Sequence, residues 1–257
     1  MISIVLTVFN HEDIILNVLN GIYYNCSPLV KELVIVFDGC TDRSQEITGE
    51  FIESTEKKFN YNILVSNGVF ENKACNLGYR VCREPFILNM QDDMIAVEEN
   101  FDERLLKPFI RWSEVLAVSA QACFNFYLED NGMIGWRKSL IERQDAERNI
   151  FYIKDAVNRG PLMWRHSMVE TLGYFDEIYA PLNTEEVDLC IKGYINHGWL
   201  SGLYCLPNFS RWEWGTSHRT NSGNIAQESW VKNIPILTTR YRDFLTGPKH
   251  DEERELP

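Results

Sequence analysis

Phe86-Ile87-Leu88-Asn89-Met90-Gln91-Asp92-Asp93-Met94 is a short, mostly apolar run that stops at two adjacent carboxylates. The run reads as a strand buried in a parallel sheet. In an open α/β sheet, ligands bind beyond the carboxyl ends of the strands. Two Asp at such a place are a ready seat for a hard divalent cation. Taken alone, an Asp-Asp pair reads better as a polar loop that merely follows a strand, and the rest of the chain is what raises this one above that.

Outward from that stretch the pattern repeats. Ile2 to Val8 and Leu33 to Phe37 are further apolar runs, and the second ends at Asp38-Gly39-Cys40-Thr41-Asp42. Tyr61 to Val65 reads as another strand. Between them lie helical spacings: Ile14, Ile15, Val18, Leu19 and Ile22 behind an Asn10 cap, then about Ser44 to Ser54, then Lys73 to Cys82. A β-α-β-α-β-α-β order predicts parallel strands joined by right-handed crossovers, and so an α/β fold.

The second half is less regular. A helix is expected from Phe101 to Trp112, a strand from Val115 to Ala122, and strand then helix from Leu162 to Leu172. Asn183 to His197 reads as a helix capped by Asn183 or Thr184 and ended by Gly198. Leu200 to Leu206 reads as a strand, Trp212 to His218 as a loop, and Ala226 to Leu245 as a helix interrupted at Pro235. Residues 123–160 show no clear period and are read as a substrate-side excursion. The division expected is a single domain over 1–248, with halves 1–100 and 101–248, and a loose charged tail over 249–257.

At 257 residues with 45% apolar content, the chain can bury a sizeable core. A net charge of −12 argues against a nucleic-acid partner, which needs clustered Lys and Arg. It also means that a phosphorylated ligand would need a cation or local donors. The seven cysteines form no CxxC pair and lie mostly in apolar runs, so free thiols in a reducing compartment are expected. The chain opens on a strand with no basic flank, and no apolar run nears the roughly 20 residues of a membrane span. A soluble, cytoplasmic protein is therefore expected, with peripheral membrane contact left open. Neither phosphate-cradling glycine loop, GxGxxG or GxxxxGK[ST], is present.

The motifs in order resemble those of the family 2 glycosyltransferases of the GT-A fold. Thr7-Val8-Phe9-Asn10-His11-Glu12 resembles their first nucleotide-binding stretch, and Asp38-Gly39-Cys40-Thr41-Asp42 their Asp-Gly-Ser-Thr-Asp. Ala74-Cys75-Asn76-Leu77-Gly78 resembles Ala-x-Asn-x-Gly, and Gln91-Asp92-Asp93 falls where their Asp-x-Asp metal motif does. Gly173-Tyr174-Phe175-Asp176-Glu177 and Glu185-Glu186-Val187-Asp188-Leu189 resemble Gly-Phe-Asp-Glu and Glu-Asp-x-Asp-Leu. The likeness covers roughly residues 1–220.

The resemblance implies a Rossmann-like, mostly parallel sheet flanked by helices, and a second half that shapes the acceptor side. It implies a metal-dependent inverting transfer of a sugar from a nucleotide diphosphate, most often UDP, to a glycan or other hydroxyl. Thr7, Phe9, Glu12, Asp38, Lys73 and Asp92 would then hold the donor. Asp93 and His218 would hold Mn²⁺ or Mg²⁺, and Glu186 would be the general base, with Glu185 as its substitute. Lys73, Arg159 and Arg219 are further candidates for phosphate oxygens, and Trp164, Trp212 and Trp214 for sugar faces or the core. Gln91 in place of an Asp and Glu186 in place of an Asp depart from the family pattern.

Each residue also has a plainer reading. Asp38-Gly39 can be turn chemistry. Glu186 can be the acid of a capping box behind Asn183. His218 can be a loop residue, and His11, His166, His197 and His250 read as structural or surface. A non-catalytic nucleotide-sugar or carbohydrate-binding protein on the same fold is the alternative function. A sugar-1-phosphate nucleotidyltransferase ranks last, since Val8-Phe9-Asn10-His11 does not resemble its glycine-rich loop.

Overall fold

A computed structural model describes residues 1–130, 132, 134–206, 210–211 and 223–256. The N-terminal strands are β1 (Ile2–Val8), β2 (Val30–Asp38), β3 (Asn60–Ser66) and β4 (Phe86–Gln91). They pair in parallel, β2 and β4 flanking β1 and β3 lying outside β2. The intervening helices are α1 (Ile15–Asn25), α2 (Ser44–Ser54) and α3 (Phe70–Val81). This is the β-α-β-α-β-α-β order expected from the sequence.

The sheet continues past β4 with β5 (Val115–Ser119), β6 (Ile150–Lys154), β7 (Leu162–Arg165), β8 (Leu200–Leu203) and β9 (Glu252–Glu255). Among the described residues it has nine strands, in the order β9-β6-β8-β5-β7-β4-β1-β2-β3. β7 runs antiparallel between β4 and β5. Helices α4 (Phe101–Arg111), α5 (His166–Leu172), α6 (Glu185–His197), α7 (Gly223–Arg240) and α8 (Arg242–Thr246) complete the layers.

Both faces of the sheet are covered, which explains the continuous apolar runs. Along β1, Ile4, Leu6 and Val8 pack toward α1 and α4, while Val5 packs toward α3. Gly78 of α3 lets that helix lie directly on the sheet. A Cβ there would come within 2.5 Å of Val5 Cγ1. All seven cysteines are free thiols.

Four local expectations are corrected. Asn10 does not cap α1, which starts at Ile15 without a side-chain cap. Its Oδ1 instead accepts from Thr41 N (2.7 Å) and Asp42 N (3.3 Å) across the sheet end. Pro235 does not interrupt α7, and the chain turns at Tyr241. The neighbouring buried Asn233 anchors that helix by donating to the carbonyls of Tyr179, Leu182 and Asn183. The strand expected over Val115 to Ala122 stops at Ser119, and Ala122–Phe124 joins a separate small sheet.

The tail is not loose. Residues 252–255 form an edge strand on β6, with Arg254 bonded to Glu114 and Glu252, and buried Leu256 holding the end. Charged side chains suit an exposed sheet edge, so a charged sequence there does not imply disorder.

Candidate active site

The carboxyl ends of β1, β2 and β4 meet on one rim. Thr7 lies between Val36 of β2 and Gln91 of β4, and Asp38 is the residue beyond Phe37, the partner of Val8. Asp92 closes back onto β1. Its Oδ2 accepts from Phe9 N at 2.7 Å, and its Oδ1 lies 3.2 Å from His11 Nδ1. Burial works against a charge on His11, but the contact and charge of Asp92, with the charges of Asp13 and Asp93, together outweigh it and raise the imidazole above its ordinary value. His11, set aside in the sequence as structural or surface, is therefore the contact that orients Asp92. Asp93 is buried at the same strand end.

Several candidates already have partners. Asp38 accepts three bonds, from Ser66 Oγ, Val69 N and Phe70 N, each at 2.7 Å. It thereby caps the start of α3 from a neighbouring strand. Glu12 Oε2 accepts from Arg43 N at 2.9 Å, at the entry to α2. Phe9 is 40% exposed at the rim. Lys73 Nζ faces Glu177 at 3.8 Å. Trp164 is fully buried against Phe175, so it belongs to the core and not to a sugar face. His218, Arg219, Trp212 and Trp214 lie outside the described residues.

The second acidic centre is the start of α6. No capping box forms there: Thr184 caps with φ 74° and no side-chain bond, and Asn183 turns to Ala226 O instead. Glu185 and Glu186 instead face Arg159, a buried guanidinium. Arg159 Nη2 lies 2.6 Å from Glu185 Oε1 and 3.5 Å from Glu186 Oε2. Its Nη1 lies 2.6 Å from Glu71 Oε1 of α3, which also accepts from Gln91 Nε2 at 2.6 Å. Arg159 is thus enclosed by carboxylates and is not available to phosphate.

Burial pushes the Glu185 carboxyl up to about 8, with Arg159 pulling it down and Glu186 and Glu71 adding to the rise. The next residue, Gly160, holds φ +83°, and a Cβ there would run into the Met94 side chain and within 3.1 Å of Gln91 Oε1. This close approach fixes the Arg159-Gly160 segment against the end of β4.

Neither Glu71 nor Arg159 announces this role in the sequence, because the pair is 88 positions apart. The only available signal was a lone Arg-Gly-Pro in the aperiodic region. Behind the centre, fully buried Asp188 of α6 accepts from Tyr179 Oη (3.0 Å), Tyr241 Oη (2.7 Å) and Arg240 Nη1 (2.7 Å). That clamp ties the acidic helix to α7 and α8.

Among the described residues no group of three or more His, Cys, Asp or Glu is arranged as a metal centre. Mg²⁺ and Mn²⁺ suit carboxylate and water ligands, and Mg²⁺ is usually held through one or two carboxylates plus substrate phosphates. Asp93, buried at the end of β4, offers one carboxylate of that kind. No described helix is long and apolar enough to cross a membrane.

Residues 3–172 match the family model described as "Glycosyl transferase family 2". Among solved structures, the chain is similar to S. aureus TarS in complex with UDP-GlcNAc, at 15% identity and TM-score 0.56, covering 86% of this chain and 60% of that one. It is also similar to GalNAc-T7 with UDP, GalNAc and Mn²⁺, at 11% identity and TM-score 0.65, covering 83% and 44%. The chain spans less than two thirds of either neighbour, and at these identities the likeness shows the fold. A search of curated proteins gives no match.

Proposed function

The chain belongs to glycosyl transferase family 2, and from that premise we propose that it is a metal-assisted, inverting glycosyltransferase. It takes a sugar from a nucleotide diphosphate, with a UDP-sugar as the first choice, and passes it to a hydroxyl of a glycan or similar acceptor. The neighbours whose printed ligands are UDP-GlcNAc, UDP, GalNAc and Mn²⁺ support this donor and metal class.

One observation carries the reading. The donor rim and the acidic helix are parts of one contact chain, Gln91 to Glu71 to Arg159 to Glu185 and Glu186. Two strand-end aspartates and a helix-borne carboxylate are therefore held in a fixed relation, as a displacement at a sugar carbon requires.

In the proposed reaction the acceptor oxygen forms a bond to the anomeric carbon while the bond from that carbon to the diphosphate oxygen breaks. The bonding pair leaves with the diphosphate, and configuration inverts. Glu186 takes the acceptor proton; its buried Oε2 makes no hydrogen bond among the described residues and meets Arg159 Nη2 only at 3.5 Å. Thr7 and Asp38 border the nucleobase, with Phe9 and Glu12 beside them. Asp92, oriented by His11 and Phe9 N, meets the ribose.

Asp93, with His218, would hold Mn²⁺ or Mg²⁺, which offsets diphosphate charge on an acidic protein. Lys73 can release its long contact with Glu177 to approach phosphate. Residues 101–248 carry the acceptor side. An acceptor at a membrane surface would bring peripheral contact in the cytoplasm.

The test is Glu186→Gln. UDP affinity by calorimetry should stay within about threefold, while sugar transfer falls by about 10² to 10⁴. Unchanged transfer would remove Glu186 from the mechanism. UDP binding without turnover of any nucleotide sugar by the wild type would favour the non-catalytic alternative.

A further inference from the structure

We propose that Arg159 is a positioning residue: it holds the Glu185–Glu186 pair in working geometry and locks the start of α6 to the end of β4 through Glu71 and Gln91. This rests on the reading of Glu186 as the base. Glutamate is long and flexible, and a base must sit within about half an ångström of its working place. Arg159 supplies a planar, two-armed constraint. One arm meets Glu185 at 2.6 Å and Glu186 at 3.5 Å, and the other meets Glu71 at 2.6 Å. Its own backbone is fixed by Gly160 against Met94 and Gln91.

The division of contacts is unequal. Both glutamates are buried, but Glu185 takes the short contact at 2.6 Å, whereas Glu186 keeps the longer one at 3.5 Å and its Oε2 makes no hydrogen bond among the described residues. Arg159 thereby separates two adjacent glutamates into an anchor and a base. Lysine cannot reproduce this, since its ammonium is a single point charge rather than a fork.

The titratable groups facing Arg159 are Glu71, Cys75 and Tyr79 from α3 and Glu185 and Glu186 from α6. Three carboxylates share one cation; burial first, and then the charges of Glu186 and Glu71, raise the Glu185 carboxyl, so the cluster tends to retain a proton. Removing the cation should make that proton harder to lose, and removing Glu71 should make it easier. These shifts report that the charges are neighbours; a loss of turnover with UDP binding retained is what a merely structural role does not give.

The experiment compares wild type with Arg159→Lys, Arg159→Gln and Glu71→Gln. UDP binding is measured with Mn²⁺, and turnover of UDP-GlcNAc is followed across pH. Arg159→Lys should bind UDP within about threefold of wild type yet turn over about 100-fold more slowly, the cost of misplacing a reacting group by about an ångström. The acid limb of the pH–rate profile should move up by about one unit or more in Arg159→Gln, and down in Glu71→Gln. Turnover in Arg159→Lys within about threefold of wild type, or equal losses of UDP binding and turnover, would overturn the proposal.

If Arg159→Gln does not fold, the other two variants decide. If wild type binds UDP but shows no turnover, the transferase reading fails. ¹³C titration of the Glu185 carboxyl then decides this one, with a downward shift in Glu71→Gln supporting it and an unmoved midpoint refuting it.

Discussion

Asp188 is the acidic-motif residue whose perturbation can be sized from the structure. Its fully buried carboxylate accepts from two tyrosine hydroxyls and one guanidinium, all at 2.7 to 3.0 Å and all on Oδ1. Arg240 has a second partner in Asp176 at 2.8 Å, so it keeps an ion pair if Asp188 is lost. The tyrosine hydroxyls lose their best acceptor while Tyr179 remains fully buried and Tyr241 nearly so. Breaking a buried, hydrogen-bonded charge cluster from one side costs about 3–5 kcal/mol.

Asp188→Ala should therefore lower unfolding free energy by about 4 kcal/mol in urea titrations followed by tryptophan fluorescence. Asp188→Asn keeps the shape and one acceptor. Charge-assisted bonds become neutral ones, partly offset by cheaper desolvation, for a loss of about 1–2 kcal/mol. The ratio matters more than either value. A loss below about 1 kcal/mol in Asp188→Ala, or equal losses in both variants, would refute the clamp as the tie between α6, α7 and α8.

Two further outcomes are expected. Asp38→Ala leaves Val69 N and Phe70 N without their acceptor at the start of α3, which should cost about 2 kcal/mol and lower Tm by about 4–8 °C in a thermal melt. A Tm within a degree of wild type would deny it the capping role. Stability should also fall on the alkaline side. The Glu185 carboxyl is raised to about 8 from its ordinary 4.5, so between those values the folded state binds more protons than the unfolded chain. Rising pH through that window therefore destabilises. Raised His11 acts in the same direction: its contribution is full below 6.5 and lost as pH passes its folded value. Melts should give a lower Tm at about pH 8.5 than at about pH 6, with a flatter slope in Glu185→Gln. A Tm that rises over that range would contradict this.

The sequence was readable where structure is set by local pattern. Ile2–Val8 and Phe86–Gln91 are continuous apolar runs because helices cover both sheet faces, so the parallel core and its acidic rim were visible in advance. Local rules misled where a distant partner took over. Asn10 stands at a capping position for α1, but the 41–42 turn offers it two backbone N–H groups. Glu186 stands at a capping-box position, but Arg159 claims that helix start. Residues 123–160 showed no period because their strands are mostly two or three residues long, too short to display one. The tail's charges hid a strand because β9 pairs with β6 from about a hundred residues away.

The most direct measurement is calorimetric titration of UDP into wild type and Asp93→Ala, each with Mn²⁺ and with EDTA. Wild type should bind UDP with Mn²⁺ and lose about 100-fold or more in affinity with EDTA, about 2.7 kcal/mol, while Asp93→Ala should bind weakly in both. Equal affinity in all four titrations, or no heat of UDP binding to wild type with Mn²⁺, would contradict a cation-assisted donor site at the end of β4.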